Sequence, residues 1–205
     1  MDYSQTASPE STQKTIQALA AHGILAELVP DGASALARLK ELIPAGASVS
    51  SGASTTLDEI GFTEHLASGA HPWNNLKAAI VAEKDPARQT RLRRESVLAD
   101  FYLGSVHAVT EDGQVVVASN SGSQLPAYIY TSPNVIWVVG TQKIVPDLDH
   151  ALARVDGYVI PLEDARMKST GAPGTALNKL LILKGEPAYL NRSVRLIFVN
   201  ERLGF

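Results

Sequence analysis

The chain contains no cysteine. Disulfides, thiolate metal sites, a cysteine nucleophile and a cysteine-ligated iron–sulfur cluster are therefore excluded within it. No stretch approaches the ~18 consecutive apolar residues of a membrane-spanning helix, so no membrane role is expected. Met1 to Glu10 is polar and lacks the apolar run of a signal peptide, which makes a cytoplasmic location the expectation. Basic residues are not in excess: 18 Lys and Arg face 21 Asp and Glu, a formal charge of -3. Without a general basic field, nucleic acid is not expected as a partner. The histidines, His22, His65, His71, His107 and His150, show no metal-ligand spacing, so no metal site is expected. Gly171-Ala172-Pro173-Gly174-Thr175 lacks the glycine-lysine-serine/threonine ending of a nucleotide-binding loop, and no dinucleotide glycine fingerprint follows a strand. Neither ATP nor NAD is supported, and no cofactor is expected.

What the chain does have is hydrophobic residues in two alternating periods. With 205 residues, 45% of them hydrophobic, it can bury a substantial core. One domain over 1–205 is expected, with a helical segment at about 8–22 and a core from about 24 onward. Ser8-Pro9-Glu10 reads as a helix start, with Ile16, Leu19 and Ala20 on one face and Gly23 at the end. Ile24 to Val29 is a short strand. Asp31-Gly32 opens a second helix, which presents Leu36, Leu39, Leu42 and Ile43 before Pro44 and Gly46 stop it. Ala47 to Ser51 is the next strand. This is the strand–helix–strand layout of a parallel α/β sheet.

The middle is helical. Thr55 to Ile60 and Phe62 to Ser68 read as short helices, and Asp85-Pro86 opens a longer one to about Leu98. Its Arg88, Arg91, Arg93 and Arg94 stand beside Glu83, Asp85 and Glu95, which suits a solvated face better than an anion site. The loop around His71-Pro72-Trp73 places Trp73 either in packing or at a ligand. From Ala99 on, Asp100–Leu103, Val106–Thr110 and Val115–Ser119 read as strands, the last two joined by a tight turn at Glu111-Asp112-Gly113. Gln124 to Tyr130 suits a short helix. Asn134–Val139 and Val194–Val199 are apolar enough for strands buried on both faces. Asp147 to Val155 is helical, and Ser169 to Gly174 is a flexible loop. No repeat or linker interrupts the chain. The expected fold class is α/β: three layers, with one mostly parallel sheet covered by helices on both faces.

Ligands of open α/β sheets bind beyond the carboxyl ends of the strands, and three polar constellations fall there. In the first, Ser51, Gly52, Ser54 and Thr55 lie in a small-residue turn able to bring N–H groups and hydroxyls to one anion. A plain helix cap by Ser54 or Thr55 explains the same residues without a ligand. In the second, Glu111 precedes Asp112-Gly113, where a carboxylate can act as nucleophile or base. An exposed hairpin turn accounts for the same tripeptide. In the third, Asn120, Gly122 and Ser123 belong to a polar turn able to supply oxyanion donors. Lys143, at the end of an apolar strand, either neutralises an anion or caps a surface loop. His107, within a strand, reads as a satisfied core or edge histidine.

The stretch from Ala99-Asp100 through Gly104 and Ala108 to Glu111-Asp112-Gly113 resembles the central signature of the lactate-utilisation (LUD) family. Val138-Val139-Gly140-Thr141-Gln142-Lys143-Ile144-Val145, the terminal Val199-Asn200-Glu201-Arg202-Leu203-Gly204-Phe205 and the serine/threonine loop Ser51 to Gly61 are similar to it as well. His107 stands where the family has a smaller or amide residue, and Gly171 to Lys179 does not align. The resemblance implies a fold like that of the NagB, RpiA and CoA-transferase proteins. It also implies a role in lactate utilisation, often beside iron–sulfur oxidoreductase subunits, and a small anionic metabolite as ligand: an organic acid, a sugar phosphate or a CoA thioester. By analogy with CoA-transferases Glu111 would be the acyl acceptor, with Asp112 as a departure. The alternative is a non-catalytic accessory subunit of a lactate-oxidising complex.

Overall fold

A computed structural model describes residues 1–205. The chain runs through helix α1 (Pro9–Ala21), strand β1 (Leu25–Val29), α2 (Gly32–Leu42), β2 (Ser48–Ser51), α3 (Thr55–Glu59), α4 (Phe62–Ser68) and β3 (Asn74–Asn75). It continues through α5 (Leu76–Ala82), α6 (Pro86–Glu95), β4 (Phe101–Gly104), β5 (Ala108–Thr110), β6 (Val115–Ser119) and β7 (Asn134–Gly140). The last elements are β8 (Ile144–Val145), α7 (Leu148–Arg154), α8 (Ile160–Ser169), β9 (Lys179–Leu183) and β10 (Ser193–Val199). No helix is long and apolar enough to cross a membrane.

Six strands, in the order β1-β10-β7-β4-β2-β3, form a wholly parallel sheet. Its central strands alternate cleanly between two cores. Val135, Trp137 and Val139 of β7, with Val194, Leu196 and Phe198 of β10, face a core closed by Leu19 of α1 and by Val109, Val115 and Val117. Ile136, Val138, Ile197 and Val199 point the other way, onto Ala35, Leu39, Leu57, Phe62 and Leu66 of α2, α3 and α4. The result is a mixed α/β architecture with the parallel sheet covered on both faces.

One expectation needs correction: there are two sheets. A second, four-stranded sheet in the order β8-β5-β6-β9 covers one face of the first. The tight turn at 111–114 explains it, because a short hairpin forces β6 antiparallel to β5 and such a pair cannot be inserted into a parallel sheet. Gly113 provides the left-handed residue of that turn (φ 88°) and has no room for a Cβ, which would lie 2.9 Å from the Ala18 carbonyl carbon of α1. β9, not anticipated from the sequence, pairs with β6 over Val115–Ser119. The helix expected to stop at Val155 instead continues to Ser169 through a wide π-turn at Val155–Val159. That turn absorbs Gly157 and delivers Pro161, which lacks an N–H, at a helix start rather than inside one. Trp73 is a packing residue. It is 8% exposed, lies against Phe62 and donates from Nε1 to the Ile43 carbonyl at 3.0 Å.

Candidate functional site

Four parallel strands deliver their next residues to one place. Gly52 follows β2, Ser105 follows β4, Lys143 ends the 3₁₀ turn after β7, and Gly204 lies beyond β10. Together they line a cleft of about 440 Å³. Its second wall comes from the smaller sheet and its helix: His107, Ser119, Asn120 and Ser123 on one side, Glu163 and Arg166 of α8 on the other. Thr175 and Ala176 close the rim, so the segment that resists alignment forms part of the wall. Its position is fixed by Asp164 Oδ1, which accepts from the Thr175 N–H at 3.0 Å.

Lys143 lies at the bottom. It is 2% exposed and makes no ion pair. Its Nζ donates to Thr56 Oγ1 and to Ser105 Oγ, each at 3.0 Å. Burial, reinforced by the Arg154 guanidinium and only partly offset by Glu59, pushes its pKa down to about 7. Lysine is almost never fully buried unless paired, so an unpaired one at the base of a cleft marks a functional position.

His107 lines the cleft above it. Its Nδ1 accepts from the Ala118 N–H at 3.0 Å, which assigns the proton of the neutral ring to Nε2, and Nε2 meets no protein group. Burial, then Lys143, then Arg154 push its pKa down to about 3, so the imidazole is a neutral N–H donor at every physiological pH. Arg154 supports both from below. It is fully buried, donates from Nη1 to the His107 carbonyl, and lies over the rings of Tyr158 and Tyr3 at 5.2 and 5.8 Å. Its Nε and Nη2 have no partner, so the charge is uncompensated and its field reaches the cleft floor. In the wall, Arg166 is held by Glu163 in a bidentate pair at 2.6 and 2.7 Å. Tyr128 forms another part of the lining, admitted by Gly104 at the end of β4.

Of the residues singled out in the sequence, Gly52, Ser54, Thr55, Asn120, Ser123 and Lys143 come together in this cleft. Ser54 is also the cap of α3, accepting from the Leu57 N–H at 3.3 Å. Ser51 lies behind the cleft with its Oγ accepting from Lys77 Nζ at 3.3 Å. Gly122 faces Lys179 of β9. Glu111 is not brought to the cleft at all. It follows the carboxyl end of β5, whereas His107 precedes the amino end of that strand and faces the cleft. Its carboxylate accepts from Ser11 Oγ at 2.6 Å and Lys14 Nζ at 2.8 Å, contacts that hold its pKa below the ordinary value. The sequence reading missed Thr56, Ser105, Tyr128, Arg154 and Arg166 and set His107 aside. Only Lys143, a charge directly after a buried strand, carried a local signal. No three His, Cys, Asp or Glu side chains are placed to share a metal ion.

A cleft at the carboxyl ends of a parallel sheet, floored by an unpaired lysine, defines the molecule as an α/β protein with a strand-end polar site. A family model described as the LUD domain matches residues 12–173, and the chain belongs to that family. Its fold is similar to that of the crystal structure of a DUF162 family protein from Deinococcus radiodurans. The TM-score is 0.54 at 14% identity, over 95% of this chain and 98% of that one. A comparison with curated proteins finds no match.

Proposed function

We propose that this LUD-domain protein binds a small anionic metabolite of lactate-utilisation chemistry in the strand-end cleft, with Lys143 as the principal anion partner. The observation that carries this reading is the lysine itself, buried without a carboxylate among hydroxyls. Such a site has positive charge to offer and nothing within the protein to neutralise it. Ser54, Thr55, Asn120 and Ser123 supply neutral donors around it, together with the Nε2–H of His107. The cleft volume exceeds what a three-carbon acid occupies, so organic acids, sugar phosphates and CoA thioesters all belong in the screen.

The test is a thermal-shift screen of lactate, pyruvate, sugar phosphates and CoA thioesters at pH 6, where Lys143 carries its charge. A ligand at ~100 times its dissociation constant adds about 2.7 kcal/mol, or roughly 5–11 °C in a domain of this size. Lys143→Met is expected to abolish the shift. A full shift retained in that variant would remove Lys143 from the site. No shift with any compound would sink the binding reading.

A second reading, an accessory subunit of a lactate-oxidising iron–sulfur complex, is favoured by a separate surface. Leu98, Tyr130 and Leu190 border a shallow depression at the amino ends of β4, β7 and β10, the opposite end of the sheet from the cleft. Leu98 and Tyr130 are 65% and 68% exposed. Co-purification of an iron–sulfur protein from the native cell, lost with Tyr130→Lys, supports it. Purification without any redox partner counts against it.

A further inference from the structure

We propose that Lys143 is a carbonyl-capturing amine, forming an imine through Nζ with the oxo carbon of a 2-oxo acid bound in the cleft. The proposal rests on the reading of the cleft as an acid-binding site and adds a covalent step to it. Three observations carry it. First, the protein offers Nζ two hydrogen-bond acceptors and no more, Thr56 Oγ1 and Ser105 Oγ. Thr56 Oγ1 itself donates to the Leu203 carbonyl at 3.4 Å, so it is free to accept from the lysine. Two acceptors satisfy the two N–H bonds of a neutral amine and leave its lone pair without a protein partner. An ammonium would have a third proton unserved.

Second, the space beside Nζ is kept open by backbone. A Cβ on Gly204 would lie 3.2 Å from Lys143 Nζ and 2.4 Å from Thr56 Oγ1, and Gly204 lines the cleft with φ 61°. A side chain there would occupy the approach to the amine. Third, the electrostatics favour the free base. No carboxylate pairs with Lys143, Arg154 lies beneath with an uncompensated charge, and burial brings the ammonium to titrate at about 7. At neutral pH roughly half of Lys143 is free amine, whereas an ordinary lysine is less than about one part in a thousand deprotonated.

The step balances without any further reagent. The Nζ lone pair adds to the carbonyl carbon, and the carbonyl π electrons move to oxygen. Both Nζ hydrogens leave with that oxygen as water, giving the C=N bond. His107 Nε2–H is the neutral donor available to the carbonyl oxygen as charge develops there, and Ser105 and Thr56 can relay the protons released from Nζ.

The experiment is borohydride trapping of the full chain with pyruvate, followed by peptide mapping. Lactate, which has no carbonyl, is the parallel control. The expected result is a reduced pyruvate adduct on Lys143 about a hundredfold or more above any other lysine at pH 7, absent with lactate and absent in Lys143→Arg. Its yield should rise through neutral pH and level off, whereas adducts on ordinary lysines keep rising toward pH 10. Adducts scattered over surface lysines, or none, overturn the imine. A pyruvate thermal shift without a Lys143 adduct overturns the imine and leaves acid binding standing. An adduct at Lys143 with no ligand shift keeps the imine and removes the anion-binding reading. The wild-type peptide map decides the matter even if Lys143→Arg fails to fold.

Discussion

Replacing Lys143 with methionine is expected to make the protein more stable while abolishing its ligand response. Methionine matches the length of the lysine stem and carries no charge, so it fills the same space without the cost of desolvating an ammonium. The folded-state pKa is lowered from 10.5 to about 7, so between those values the unfolded chain holds a proton that the native protein has released. Native stability therefore rises with pH across that window and carries the full penalty below it. The gain on substitution should be a few kcal/mol at pH 6 and shrink toward zero by about pH 10. Urea denaturation of wild type and variant at both pH values measures the gap, and the difference between the two proteins isolates this group. A variant less stable than wild type at pH 6 would mean that the bonds to Thr56 and Ser105 outweigh the burial of charge. Lys143 would then be structural, and the functional reading of the cleft would lose its main support.

The second large effect is expected at Gly104. An alanine Cβ there would lie 1.8 Å from Tyr128 Oη and 2.9 Å from Cζ. The ring cannot swing clear, because it is only 3% exposed and stands edge-on between Tyr102 and Trp137 at centroid distances of 5.7 and 5.2 Å. Either β4 shifts out of register with β7, or the aromatic cluster repacks and the cleft wall moves. Overpacking of this kind costs about 3 kcal/mol, a fall of roughly 6–12 °C in Tm for a domain of this size. Adding Tyr128→Phe to Gly104→Ala removes the nearest clashing atom and should recover part of the loss. The Cζ contact remains, so recovery will be incomplete. A Gly104→Ala protein that melts with wild type would show that Tyr128 has room to move and is not a fixed part of the wall.

How far the fold was legible depended on how local its causes were. The alternating apolar residues of β7 and β10 mark strands buried on both faces, because a side-chain period of two with hydrophobes at every position admits no solvent face. Ser8-Pro9 and Asp31-Gly32 are helix starts in sequence and in space, since capping is decided within one turn. The Glu111-Asp112-Gly113 turn is likewise local. What the turn implied was not: a hairpin at that point must leave the parallel sheet, and with β8 and β9 it builds a second one.

The candidate site divides along the same line. Lys143, Gly52, Ser54, Thr55, Asn120 and Ser123 stand in strand-end turns, and a parallel sheet places all its carboxyl ends on one side. The sequence alone determines that such residues gather, along with the absence of thiol chemistry. The tertiary structure decided the rest. It set Glu111 at the far end of β5, paired with Lys14 of α1, because strand direction within a sheet is fixed by long-range pairing. It brought Arg154 beneath His107 and Lys143 through the packing of α7, a contact 47 residues apart for the histidine, with no trace in local spacing. Whether Lys143 is a solvated surface charge or a half-neutral amine depends on what surrounds it in three dimensions. That environment is a property of packing, which no local pattern of residues encodes.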